Sequence, residues 1–267
     1  MIYTVIARTD ILSKYFGSRD CSSEQPLNLI KESEEKFIIS ADIVKYINET
    51  GNEKTKKERI SAYTSLFFSL YTIFNVKPSE ILRTEFSKPY IREKVFFSIS
   101  HADELTPVSL SDDTEIGVDI QGIISEERGR KIEDRFLSDF EYSEENFDVS
   151  YLYLTFDGEG KLRFLPLTEN SDMSIIKGAY KQTQNNCETI ENEILTLSED
   201  ENLDLTHYTK IWTAAEAMSK LHGGGLRDFK KIKEIAKSSL CRHNCIKLFN
   251  ETYILTNAIY RKTQFYK

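Results

Sequence analysis

The pattern of hydrophobic and polar positions predicts helices interleaved with paired strands. "MIYTVIARTD" at the start of the chain predicts a first β-strand, and "ISAYTSLFFSLYTIFNV" at 60–76 is typical of a largely buried helix. "YTKIWTAAEAMSKLHGGG" predicts a helix that ends at its three glycines. Antiparallel strand pairs are predicted at three places, 106–122, 151–167 and 245–262. Helices mixed with hairpins in this way indicate the α+β fold class.

One strand and one helix carry polar residues that require an explanation. In "EIGVDIQG" at 115–122, alternation places Asp119 on the face opposite the isoleucines and the valine. Asp119 either lies on an ordinary solvent-facing side or is held there to bind a ligand. In "IWTAAEAMSK", Trp212, Glu216 and Lys220 recur every four residues and share one helix face. Taken alone, Glu216 and Lys220 are also compatible with a surface ion pair of small energy.

Composition and charge limit the functional classes. With 267 residues, 40% hydrophobic and 29% charged, the chain fits one large domain or two small ones of a soluble protein. No apolar run approaches the roughly 20 residues that span a bilayer, and the N-terminus lacks a secretory signal, so we expect a cytoplasmic protein without membrane association. The net charge of −8 argues against nucleic acid as the partner.

The four cysteines are too few for a disulfide framework in a chain of this length. "CRHNC" places Cys241, His243 and Cys245 close together, which is one way to begin a zinc site. No second cluster of ligands accompanies it in the sequence. Ordinary buried or surface thiols are therefore the favoured interpretation.

Six motifs occur in the order found in one enzyme family. They are "SKP" at 87–89, "FSISH" at 97–101, "IGVDIQ" at 116–121, "RFLSDFEY" at 135–142, "WTAAEAMSK" at 212–220 and "GGGL" at 223–226. In this order they resemble the motifs of the surfactin-type 4′-phosphopantetheinyl transferases. The resemblance covers roughly residues 58–145 and 207–260.

The resemblance implies two similar α+β subdomains related by a pseudo-twofold axis, with an active site in the cleft between them. The subdomains would be 1–113 and 114–267, the second with an insertion at about 147–206 that acts as a lid, a docking element or a structural elaboration. The family transfers the phosphopantetheine group of coenzyme A to a serine of an acyl or peptidyl carrier protein. It requires Mg²⁺, releases adenosine 3′,5′-bisphosphate, serves fatty-acid, polyketide or nonribosomal-peptide synthesis, and usually works as a monomer.

The resemblance also assigns catalytic residues. Asp119, Glu216 and Gln121 would hold Mg²⁺, which prefers oxygen ligands and substrate phosphates. Glu216 would also act as the base toward the carrier serine. Lys220, one turn further along the helix, would offset charge on the leaving group. Catalysis would thus rest on Asp119, Glu216 and Lys220.

Five residues are expected to contact coenzyme A. By resemblance they are Arg59, Lys88, Ser100, His101 and Lys220. Three of them also have simpler structural interpretations. Arg59 belongs to a charge run, Lys88 is compatible with a solvated lysine in a turn, and His101 is compatible with a structural histidine.

Two departures from the family motifs favour an alternative function. Gln121 replaces an acidic metal ligand, and Ala215 replaces the lysine that usually precedes the catalytic glutamate. A non-catalytic relative that binds carrier protein or coenzyme A without transfer is the alternative. For an acidic carrier, the docking face is expected at Arg128, Arg130, Lys131 and Arg135, although Glu126, Glu127 and Glu133 also allow a helix with internal ion pairs.

Overall fold

The computed structural model describes most of the chain. The described residues are 1–17, 41–76, 82–83, 88–91, 95–157, 161–167, 195–198, 203–248 and 251–261. The helices are α1 (Thr9–Gly17), α2 (Ala41–Asn48), α3 (Glu53–Phe74), α4 (Glu126–Ile132), which continues into a π-helical turn (Glu133–Leu137), α5 (Leu203–His222) and α6 (Phe229–Ala236). The mixture of helices and mainly antiparallel strands is compatible with the predicted α+β class.

Within the described residues, the first main sheet has five strands in the order β4-β5-β1-β8-β9. These strands are β1 (Ile2–Arg8), β4 (Phe96–Ile99), β5 (Leu105–Ser111), β8 (Ser150–Phe156) and β9 (Leu162–Leu167). Among the described strands of this sheet, β1 and β8 pair in parallel and the other neighbours are antiparallel. The hairpin predicted at 151–167 is confirmed as β8 and β9. A separate two-stranded sheet pairs β2 (Leu82–Arg83) with β3 (Pro89–Tyr90).

The second main sheet has the order β10-β11-β12-β6. Its strands are β6 (Ile116–Gly122), β10 (Leu195–Ser198), β11 (Ser239–Leu248) and β12 (Glu251–Tyr260), and the short β7 (Ser143–Glu144) pairs with β11 in parallel. The predicted antiparallel pair at the C-terminal end is confirmed as β11 and β12.

The predicted pairing within 106–122 is wrong. Its two strands exist, but β5 pairs with β1 and β4 in the first sheet, whereas β6 pairs with β12 in the second. Both edges of β5 are therefore already used. Residues 112–115, between β5 and β6, carry the chain from one sheet to the other. Ser98 Oγ on β4 accepts a hydrogen bond from Val118 N on β6 at 3.0 Å across this junction.

The two sheets pack face to face between helices. Val5 of β1 packs with α3 residues such as Phe67, whereas its neighbour Ile6 packs in the apolar cluster between the sheets with Val118 of β6. The helices α5 and α6 cover the outer side of the second sheet through a third cluster, which includes Met218. Alternation along each strand thus separates residues that face a helix from residues that face the opposite sheet.

Hydrogen bonds fix one sheet against the other. Asn257 Nδ2 of β12 donates to Thr4 Oγ1 at 3.0 Å and to Ser109 Oγ at 2.8 Å, which lie on β1 and β5. All three side chains are buried. Buried polar groups are almost always hydrogen-bonded, so a shift of one sheet against the other would leave the Asn257 amide without partners. The two hydrogen bonds therefore fix the relative position of the sheets and of the residues that they carry.

The segment predicted as an insertion, 147–206, contributes to both sheets. Its described parts form β8 and β9 at the edge of the first sheet, β10 at the edge of the second and the first turn of α5. Residues 158–160, 168–194 and 199–202 of this segment lie outside the described residues. In the part of the chain that the structure describes, no helix is long and apolar enough to cross a membrane.

Candidate active site

Gly117 brings β6 into direct contact with the backbone of α5. A Cβ atom at this position would lie 1.9 Å from the carbonyl oxygen of Ala217 and 2.8 Å from the backbone nitrogen of Leu221. No side chain fits such a gap. The glycine therefore permits a close approach of β6 to α5. This approach places Asp119, two residues further along the strand, beside the face of α5 that carries Glu216 and Lys220.

Asp119 is held by Ser100, which directly follows β4, and by Lys220 of α5. Its Oδ1 atom accepts hydrogen bonds from Ser100 Oγ at 2.8 Å and from Lys220 Nζ at 2.7 Å. Lys220 Nζ also donates to Ser100 Oγ at 2.8 Å, so the three polar groups contact each other. Asp119 and Ser100 are buried at 6% and 4% exposure, which excludes the solvent-facing interpretation of Asp119.

Glu216 lies one turn before Lys220 on α5 and is partly buried. The pKa of Glu216 is raised to about 7, first by burial and then by the nearby Asp119 carboxylate, whereas Lys220 acts in the opposite direction. A carboxyl group that titrates near neutral pH is suited to accept a proton at physiological pH. Asp119, Ser100, Glu216 and Lys220 are called the acid–lysine cluster below.

Oxygen atoms of the kind that a hard divalent cation prefers occur in the acid–lysine cluster and on Gln121 of the same strand as Asp119. Asp119 and Gln121 lie on the same face of β6, with Gln121 partly buried, and Glu216 approaches from α5. Both hydrogen bonds of the Asp119 carboxylate end on Oδ1, and among the described residues Oδ2 has no hydrogen-bond partner. Two carboxylates and an amide oxygen suit Mg²⁺. The described residues contain no group of three or more His, Cys, Asp or Glu residues placed to hold a metal ion.

A cavity of about 210 Å³ adjoins the cluster, with Lys88, Phe97, Ser98, Lys220 and Gly223 among its lining residues. Two lysines among the lining residues favour an anionic ligand.

Lys88 also stabilises the end of α5. Its Nζ donates to the Leu221 carbonyl at 2.6 Å and lies 3.6 Å from Glu115 Oε2. The carbonyls of the last helical turn lack partners within the helix, so the ammonium group caps α5. Burial lowers the pKa of Lys88, and Glu115 opposes this shift. The interpretation as a solvated turn lysine is therefore wrong.

His101 contacts a residue that sequence reasoning missed. Its Nδ1 lies 3.6 Å from Oε1 of Glu58, a carboxylate on α3 that is only 7% exposed. Lys54 Nζ lies 4.0 Å from the same carboxylate oxygen. The His101 side chain is 56% exposed and therefore accessible to a ligand. The only signal for Glu58 in the sequence is one acidic residue inside a basic run.

Two further residues lie away from the acid–lysine cluster. Arg59 Nη1 donates to the carbonyl of Tyr46 on α2, and its guanidinium carbon lies 4.0 Å from the centre of the Tyr46 ring. The structure therefore does not bring Arg59 into contact with the cluster. Ala215 is fully buried in the apolar cluster beneath α5. The residue at this position faces the protein core.

The basic segment after β6 is partly neutralised. Arg130 pairs with Glu126 and Lys131 with Glu127, four residues apart on exposed turns of α4. Arg128 and Arg135 are exposed, and among the described residues neither forms an ion pair. Gly129, between them, is buried against the ring of Tyr208, where a Cβ atom would lie 2.2 Å from Cγ.

The zinc interpretation of Cys241, His243 and Cys245 does not fit the structure. His243 Nδ1 lies 2.7 Å from Thr256 Oγ1, and its Nε2 lies 3.1 Å from the Tyr142 hydroxyl, so both ring nitrogens are hydrogen-bonded. Cys241 and Cys245 are buried thiols.

No protein-family model matches this chain, and no curated protein matches its sequence.

Proposed function

We propose that the protein is a Mg²⁺-dependent 4′-phosphopantetheinyl transferase that modifies a serine of an acyl or peptidyl carrier protein, with coenzyme A as the donor. The observation that carries the proposal is the acid–lysine cluster beside a cavity with two lysines. Asp119, Glu216 and Lys220 come from two of the six sequence motifs that carry the family resemblance, and they meet at one site. That meeting depends on packing between β6 and α5, which neither motif alone requires.

The proposal includes the two-subdomain architecture, with a boundary near residue 113. Each main sheet is covered on its outer side by a long helix, α3 for the first and α5 for the second. This repetition supports a pseudo-twofold relation. The cluster draws Ser100 from the proposed first subdomain and Asp119, Glu216 and Lys220 from the proposed second one.

Each residue has a chemical role in the proposed reaction. The carrier serine oxygen forms a bond to the β-phosphorus of coenzyme A, and the bond to adenosine 3′,5′-bisphosphate breaks. Glu216 accepts the serine proton, for which a pKa near neutrality is suitable. Lys220 offsets negative charge on the phosphate oxygens, as phosphoryl transfer requires. Asp119, Glu216 and Gln121 would hold Mg²⁺, which supplies further neutralisation of the pyrophosphate charge.

The cavity supports an anionic ligand of limited size at this position. Its volume of about 210 Å³ is smaller than the range of roughly 300 to 1,000 Å³ typical of complete ligand pockets. It therefore fits the phosphate portion of coenzyme A between Lys88 and Lys220, with the remainder of the ligand outside. His101, exposed at the end of β4, is available to a second phosphate group.

The acidic carrier protein would dock on the basic segment after β6. Arg128 and Arg135 are the exposed cations that support this surface, because Arg130 and Lys131 are already paired. Exposed Phe136, whose ring lies 4.9 Å from the Arg135 guanidinium carbon, adds apolar area. A cation and an aromatic ring together suit the centre of a protein interface.

The alternative is a relative that binds coenzyme A or carrier protein without transfer. Gln121 favours it, because an amide in place of a carboxylate lowers the negative charge available to Mg²⁺. Ala215 carries less weight, since its side chain lies in the core and not in the cleft. The retained Asp119 and Glu216 favour the transferase.

Calorimetric titration with coenzyme A in the presence of Mg²⁺ tests the proposed substrate. We expect saturable binding to the wild-type protein and at least roughly tenfold weaker binding to Lys220→Met, as for loss of a charge-assisted hydrogen bond. The control is Lys210→Met, since Lys210 lies on the same helix but 3.8 Å from Glu144 and outside the cluster. Equal affinity in all three proteins, or no binding to the wild type, would contradict the proposal.

A further inference from the structure

Lys220 occupies the carboxylate that is also the proposed metal ligand. Its ammonium group lies 2.7 Å from Asp119 Oδ1, and the Lys220 and Asp119 side chains are 29% and 8% exposed. Ser100 Oγ bonds to both groups at 2.8 Å. A partly buried ion pair of this kind is only weakly screened by salt.

An ammonium group on Asp119 opposes a divalent cation on the same carboxylate. It offsets the negative charge that attracts the cation, and two cations so close together repel each other. Glu216, the second carboxylate, also interacts electrostatically with both Asp119 and Lys220. The charge available to a metal ion therefore depends on where the Lys220 ammonium lies.

The Lys220 ammonium group has a second candidate binding position, in the adjacent cavity. Its side chain also lines the cavity of about 210 Å³ that contains Lys88, Phe97 and Gly223. Lysine carries its charge on a flexible four-carbon stem. A phosphate group in this cavity would offer its oxygens to the Lys220 ammonium in place of Asp119. The lysine would still line the cavity.

We infer that Lys220 is an internal counterion that competes with a divalent metal ion for Asp119, and that a phosphate ligand in the adjacent cavity relieves this competition. Ser100 is the positioning residue, because it holds the ammonium against the carboxylate. The metal ion and the phosphate ligand therefore bind cooperatively, and each increases the affinity of the other by the same factor. The identity of the phosphate ligand as coenzyme A rests on the proposed function.

The test measures Mn²⁺ binding to the full-length protein by electron paramagnetic resonance, at a pH above the pKa of Glu216, with and without coenzyme A. Without coenzyme A, we expect Lys220→Met to bind Mn²⁺ at least about tenfold more tightly than the wild type, because a charge-assisted hydrogen bond no longer holds Asp119. Ser100→Ala should tighten binding about threefold, since it removes one of the ammonium contacts. Lys210→Met should match the wild type.

Addition of coenzyme A should tighten Mn²⁺ binding to the wild type by about tenfold, within the usual range of coupling between sites, and by a smaller factor in Lys220→Met. Unchanged or weaker Mn²⁺ binding in both Lys220→Met and Ser100→Ala would overturn the inference, as would a wild type that binds no Mn²⁺. Tighter binding in both variants with no effect of coenzyme A would support the counterion role and contradict the proposed substrate. The two failures are therefore distinguishable.

Discussion

Gly117 of β6 lies against Ala217 of α5 so closely that a Cβ atom on the glycine would be 1.9 Å from the alanine carbonyl oxygen. This contact sets the distance between the strand that carries Asp119 and the helix that carries Glu216 and Lys220. The geometry of the acid–lysine cluster therefore depends on a residue with no side chain.

Gly117→Ala is expected to separate β6 from α5. Because the clash involves backbone atoms that cannot rotate away, we expect a loss of about 1 to 3 kcal/mol in the free energy of unfolding, as for overpacked cores. Urea denaturation measures this loss. Gly122→Ala on the same strand is the control, since its nearest neighbours would lie 3.8 to 3.9 Å away. Equal stability of the two variants would show that the close approach is not required.

Glu216 should make the stability of the protein depend on pH. Its pKa is raised from 4.5 to about 7 by burial and by Asp119, so the folded protein binds more protons than the unfolded chain between these values. The free energy of unfolding should then fall as pH rises through this interval. Relative to Glu216→Gln, the wild type should lose stability from pH 4.5 to about 7 and level off above it. Urea denaturation in EDTA over a pH series checks this, and a constant difference would refute the shift.

Lys88→Met should destabilise α5 at its C-terminal end. The substitution removes the hydrogen bond to the Leu221 carbonyl, and we expect a loss of about 1 kcal/mol, typical of one hydrogen bond. Lys233→Met is the control, because Lys233 also donates to a main-chain carbonyl, that of Ser138, but at an exposed position. Chemical denaturation of both variants compares them. A larger loss in Lys233→Met would contradict the capping role of Lys88.

Glu58→Gln should weaken the binding of coenzyme A through His101. Glu58 is buried and lies 3.6 Å from the imidazole, so its charge orients an otherwise exposed side chain. Loss of one such surface contact corresponds to roughly 1 kcal/mol or less, and we expect KM for coenzyme A to rise by up to about fivefold while kcat stays the same. Steady-state kinetics separates the two constants. A fall in kcat at unchanged KM would show that Glu58 acts on the reaction itself and not through binding.

The sequence predicts most individual elements because their signals are local. The alternation around Asp119, the long apolar run of α3 and the three glycines after α5 each depend on neighbours in the chain. Helix α5 ends at the predicted glycines, and Gly223 adopts a positive φ of 89° that favours glycine.

Long-range relationships could not be predicted in the same way. The adjacent Asp112 and Asp113 indicate a turn between β5 and β6, but they do not determine which strand edges are already occupied. Lys88 caps a carbonyl 133 residues away, and Glu58 meets His101 across the junction of α3 with the first sheet. These contacts follow from the packing of distant elements. Within the site, the meeting of Asp119 with Lys220 was implied only by the family resemblance.

The intact mass of a panel of apo-carrier proteins tests the central claim most directly. Each carrier is incubated with the wild-type protein, coenzyme A and Mg²⁺, and in parallel with EDTA, Glu216→Ala or Asp119→Asn. We expect at least one carrier to gain the mass of one phosphopantetheine group with the wild type alone, because both carboxylates are needed for proton transfer and metal binding. An equal gain with the variants or with EDTA, or no gain by any carrier, would contradict the assignment of this site as a phosphopantetheinyl transferase.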